Sequence, residues 1–177
     1  MKLKRVFGVG LAIGLMAPIS LLTAAPAGAA GGTSCKTRKG TATITPGLGA
    51  TKHDQTIKAT TAISGCSGGG VTKGTGTSTI KVLKSSCSGL ATTGQTMKLT
   101  ETIKWNTGAT STLSGTSKTG PKAGQATITL KVTKGKFVNL HASTVVSFQP
   151  AQPAPYCTDA HPLKKLAIAG VKPFVIK

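Results

Sequence analysis

The chain has 177 residues, of which 22 are lysine or arginine and only 3 are aspartate or glutamate, a formal charge of +19. With aromatic residues at 3%, a core must come mainly from small aliphatic side chains, and chemistry that needs paired carboxylates has almost nothing to draw on. Nearly all the positive charge is lysine, which lacks the planar fork that reads guanine or clamps phosphate, so sequence-specific nucleic-acid recognition is not expected.

In chain order, Met1 to Arg5 form a positive n-region, Val6 to Leu22 are apolar, and Ala27-Gly28-Ala29 has the form of a cleavage site. Residues 1–29 therefore read as a secretory signal peptide and residues 30–177 as one secreted domain, with no further run long enough to span a bilayer. Cleavage removes Lys2, Lys4 and Arg5 and leaves nineteen basic residues against Asp54, Glu101 and Asp159, a net +16. Such a surface attracts polyanions at a distance and loosens its hold as salt rises.

The secreted part is punctuated by Gly, Ser and Asn between short runs rich in Thr, Val and Ile, the pattern of an all-β protein. Strands are predicted near Gly40–Thr45, Thr56–Ile63, Thr75–Leu83, Gln95–Trp105, Ala109–Ser117, Gln125–Thr133, Lys136–Phe148, Leu163–Ala169 and Lys172–Ile176. Ile128, Leu130 and Val132 alternate with Thr127, Thr129, Lys131 and Thr133, so one face packs and the other shows Thr and Lys. The fold expected is a single antiparallel β-sandwich or small β-barrel of about eight or nine strands.

In Thr96–Trp105, Met97, Leu99, Ile103 and Trp105 share the inward side, and Glu101 falls among them. A lone inward carboxylate needs a lysine or hydroxyl partner, a wet position at the sheet's edge, or a catalytic partner such as a second carboxylate or a histidine. Asn106-Thr107-Gly108 suits a hairpin turn that leaves Trp105 at the end of one arm. The stretch Gln149–Pro155 is expected to be an extended loop crossing from one sheet to the other.

Cys35, Cys66, Cys87 and Cys157 all follow the leader, and an even count in an exported chain reads as two disulfides. Cys66 and Cys87 each follow an apolar run, ending at Ile63 and Leu83. The preferred pairing is Cys66 with Cys87 and Cys35 with Cys157.

The Thr-rich run Gly40–Pro46, the Gly-rich cysteine loop Ser64–Gly74 and the Trp hairpin Ile103–Thr112 together resemble small secreted disulfide-bonded β-rich proteins of actinobacteria. The resemblance implies an exported, disulfide-tied β-domain and brings no activity with it.

Catalytic signals are weak. Gly65-Cys66-Ser67-Gly68-Gly69 matches G-x-S-x-G, but more glycine and a strand follow where a nucleophile elbow needs a helix. His53, His141 and His161 have no spacing that joins them, and Asp159 with His161 offers two ligands, too few for a metal site. The expectation is a non-enzymatic protein with no cofactor and no metal. It would be surface-associated or bind anionic polymers such as cell-wall polyphosphate, acidic polysaccharide or nucleic acid without sequence preference, with Lys81, Lys98, Lys104 and Lys131 as candidate contacts. A small-ligand or protein-binding β-domain is the alternative, and a small basic hydrolase a remote one.

Overall fold

Residues 31–177, apart from Pro121 and Pro153, are described by a computed structural model; the expected signal peptide lies outside them. Alternation of apolar and hydroxyl or lysine side chains builds nine strands: β1 (Thr33–Leu48), β2 (His53–Ser67), β3 (Lys73–Ser85), β4 (Thr96–Trp105), β5 (Thr110–Thr119), β6 (Gln125–Gly135), β7 (His141–Pro150), β8 (Leu163–Gly170) and β9 (Phe174–Ile176). A five-residue helix, α1 (Cys87–Ala91), stands between β3 and β4. Each of the nine predicted strands is present. Lys136–Leu140 is the exception in detail, forming a turn rather than the start of β7.

The strands follow one another antiparallel from β1 to β8, and β8 pairs back onto β1, so eight strands close into a barrel. The ninth completes a broken stave. β8 lies between β7 and β1 at one level, and after the turn ending at Pro173, β9 takes the same place at the other, pairing with Thr33–Cys35 and Ala142–Ser143. Proline cannot donate to a ladder, which fits the break at that point. Closure leaves no long free edge.

The outer wall is threonine and lysine. Thr41, Thr60, Thr77, Thr102 and Thr112 form one exposed or half-exposed row across five strands, each opposite the next. A membrane barrel carries an apolar band in that position, and among the described residues no helix is long and apolar enough to cross a membrane.

The two ends of the barrel differ. At one, Trp105, Phe137, Phe174, Ile63 and Ile103 fill the interior. Trp105 stands edge-on to Phe137 with centroids 5.5 Å apart and donates from Nε1 to Ser111 Oγ at 2.8 Å. The Asn106–Gly108 turn forms as expected, with Gly108 donating to the Trp105 carbonyl at φ +81°. The other end carries the longer connections, those holding α1 and joining β7 to β8.

Both disulfides form, but with different partners from those preferred on the sequence: Cys35 with Cys66 and Cys87 with Cys157. Cys35 and Cys66 lie opposite each other on β1 and β2, an arrangement hidden when β1 is taken to begin at Gly40. Cys87 and Cys157 join the two long connections at the other end. The Gln149–Pro155 stretch does not cross between sheets, because β7 and β8 are neighbours. Its path is held by Gln152, whose Nε2 donates to the Pro162 carbonyl and whose Oε1 accepts from Lys164 N.

Candidate functional site

The filled end of the barrel stops at one polar layer. Glu101 on β4 points inward, as the alternation predicts, and is 1% exposed. Its partner is neither a lysine nor a hydroxyl. Arg38 on β1, itself 4% exposed, donates from Nη2 to Glu101 Oε1 at 2.6 Å. The guanidinium also lies over the Phe174 ring, 5.2 Å from its centroid. Gly76 leaves room for the pair, since a Cβ there would collide with Glu101 Oε1 and press on Thr61 Oγ.

The layer is only partly satisfied. Arg38 Nε and Nη1, Thr61 Oγ and Glu101 Oε2 are buried without a hydrogen-bond partner among the described residues. Buried polar groups are normally paired, and an unmet donor costs about 1–3 kcal/mol. Arg38 and Thr61 line a cavity of about 240 Å³ that occupies the other half of the barrel.

The cavity follows from the inward side chains. Ala42, Ala59 and Ser78 stand opposite one another on β1, β2 and β3, so three small groups leave the interior unfilled there. The next row toward the long connections, Ile44, Ile57, Ile80 and Leu99, contributes aliphatic wall at Ile57, Ile80 and Leu99, and Ile128, Leu166 and Ile168 line the other side. At the mouth the lining reaches exposed Lys122, Ala123 and Gly124 of the β5–β6 turn, Tyr156, and the Cys87–Cys157 bridge. Arg38 and Lys122 are the charged members of the lining.

Met97, half-buried, lines both this cavity and a shallow outer groove with Lys81, Leu83 and Lys98. Pairing of β3 with β4 stops at Ile80 opposite Leu99, although β3 runs on to Ser85 and β4 begins at Thr96. The wall is therefore open there, and Leu83 is 76% exposed beside it.

Of the four candidate lysines, Lys81 and Lys98 share this groove. Lys104 lies six residues from Lys98 on the same strand, about 20 Å away, and Lys131 is on β6 facing Ser114. All four are exposed, but they do not form one patch. Exposed lysines stand on β1 to β6 and on β8.

The histidines do not converge either. His53 begins β2 and His161 lies in the β7–β8 connection, both near the mouth, whereas His141 begins β7 at the filled end; all three are exposed. Asp159 accepts from the Thr51 hydroxyl at 2.6 Å and from Thr51 N at 2.9 Å, which hold its carboxyl below the ordinary value of 3.8. Asp54 accepts from Lys84 N. Both thus act as loop anchors. Ser67 of the G-x-S-x-G match ends β2 and leads into a glycine turn. Among the described residues no three His, Cys, Asp or Glu side chains are grouped to hold a metal ion.

The sequence did not single out Arg38, Thr61 or the cavity itself, and Trp105, its most conspicuous apolar residue, sits at the filled end. The signal available was the run of small residues at inward positions, Ala42, Ala59 and Ser78. No protein-family model matches this chain, and no curated protein is significantly similar to it.

Proposed function

We propose that the mature chain is an exported, non-enzymatic carrier barrel that binds a small, largely apolar molecule in its interior. The observation that carries this reading is the cavity of about 240 Å³, aliphatic along its walls and open at the end where the long connections meet. A dry cavity of about 150 Å³ holds benzene, so this one has room for about ten non-hydrogen atoms between its walls, and a slightly larger ligand can extend into the open mouth. The two disulfides suit an oxidising compartment, and they brace both ends so that the cavity is held open before a ligand arrives.

Filling the cavity from within tests the reading. Ala59 points into it from β2, and Ala59→Phe should occupy its centre. Titration with naphthalene derivatives should raise the native protein's melting temperature progressively with the logarithm of ligand concentration above Kd and leave the folded Ala59→Phe protein unchanged. Equal responses from both proteins, or none from either, would refute interior binding.

A second reading concerns the outside. Lysines on seven of the nine strands, counted from β1–β6 and β8, support a diffuse attraction to anionic polymers such as cell-wall polyphosphate or acidic polysaccharide. The spread favours general attraction and solubility over one recognition face.

A further inference from the structure

The carrier reading leaves open what the deep end of the cavity recognises, and the buried pair there is chemically specific. Resting on that reading, we infer that Arg38 selects ligands carrying an uncharged acceptor oxygen, a ketone or similar carbonyl, at the leading end of an apolar body. Arg38 is 4% exposed, lines the cavity, and keeps Nε and Nη1 without partners after giving Nη2 to Glu101. Thr61 Oγ, also unpartnered and in the lining, offers a further donor or acceptor. A carbonyl at this end of the cavity, met by a small turn of the Arg38 side chain, gives an unmet buried donor a charge-assisted hydrogen bond. A hydrocarbon of the same shape leaves the donor orphaned, and a site built this way discriminates strongly against it.

Charge decides between a neutral head and an acid. Arg38 is already balanced by Glu101, whose Oε2 is buried and unpartnered. A carboxylate brought to the same layer would meet that second anion in a low-dielectric interior. The charge available to an acid is Lys122 at the exposed mouth. An acidic ligand would thus sit reversed, with its head in water, and gain little from Arg38.

Three probes of one shape separate these cases: 2-acetonaphthone, 2-isopropylnaphthalene and 2-naphthoate, titrated into the full exported protein by calorimetry. The ketone should bind at least tenfold more tightly than the hydrocarbon and than the acid. In Arg38→Met/Glu101→Leu, which removes both charges together, the ketone's advantage over the hydrocarbon should disappear while the hydrocarbon still binds. Should that variant not fold, the carbonyl stretching band of the ketone bound to the native protein decides. A shift below its value in a hydrocarbon solvent supports the contact, and an unshifted band overturns it. Equal binding of ketone and hydrocarbon would overturn selection by Arg38, as when water serves the donors, and leave interior binding standing. Tightest binding of the acid would overturn the neutral head. Failure of all three probes would overturn the carrier reading, and this inference with it.

Discussion

Arg38 and Glu101 show how a buried pair can be costly to lose by halves yet dispensable as a whole. Each charge is tolerated in the interior because the other is 2.6 Å away, and removing one leaves its partner uncompensated. Arg38→Met or Glu101→Leu alone should lower unfolding free energy by about 3–5 kcal/mol. The double substitution, with apolar groups of similar volume, should recover most of that loss, and urea denaturation of the three proteins checks it. A double variant no more stable than either single one would mean that the pair also organises the fold around it. Glu101 was legible in the sequence as inward, because Leu99, Ile103 and Trp105 flank it in strict alternation. Arg38 was not. Along β1 both Cys35 and Arg38 face inward, so the inward parity changes at Lys36–Thr37, and β2 changes likewise between Ile63 and Cys66. A period-two pattern cannot be followed through such a change, and the predicted strand consequently began at Gly40, beyond the arginine.

At the level of elements, the β4–β5 hairpin ends in the aromatic plug that makes one half of the barrel solid. Trp105 is 2% exposed, edge-on to Phe137, and satisfied through Ser111, whose hydroxyl in turn donates to the Lys136 carbonyl. Phe137 takes a left-handed backbone, φ +66°, an outlier for a bulky side chain that its burial against Trp105 offsets. Trp105→Ala should therefore cost about 3–5 kcal/mol through loss of both packing and the support for that turn. Because the plug and the cavity occupy opposite halves, the variant's affinity for 2-acetonaphthone should change less than twofold at temperatures where it remains folded. Thermal unfolding followed by calorimetric titration checks both, and a large loss of affinity without loss of stability would move the binding site to the plug. The turn itself was readable from Asn106-Thr107-Gly108. The disulfide partners were not, since Cys35 preceded the predicted start of β1 and the connection carrying Cys157 has no periodicity from which its position could be inferred.

For the whole molecule, the excess of lysine sets the behaviour toward charged surfaces. A net +16 on the expected mature chain, spread over β1–β6 and β8 rather than gathered, makes a field that a polyanion feels in nearly every orientation. Binding to heparin should accordingly fall steeply as sodium chloride rises, through release of condensed counterions and shortening of the screening length to about 8 Å at about 0.15 M. The distribution makes a sharper demand. Lys81→Glu with Lys98→Glu, in the groove where β3 and β4 part, removes the same charge as Lys104→Glu with Lys131→Glu, which lie well apart on β4 and β6. If attraction is diffuse, the two double reversals should weaken heparin binding alike, within about twofold at one salt concentration, and flatten the salt dependence equally. If the groove is a site, the first pair should lose far more than the second, because Lys81 and Lys98 would then engage one anionic group together beside exposed Leu83. Measuring both variants across a salt series distinguishes a charged coat from a binding face, and equal losses leave the interior as the part of this barrel able to choose its ligand.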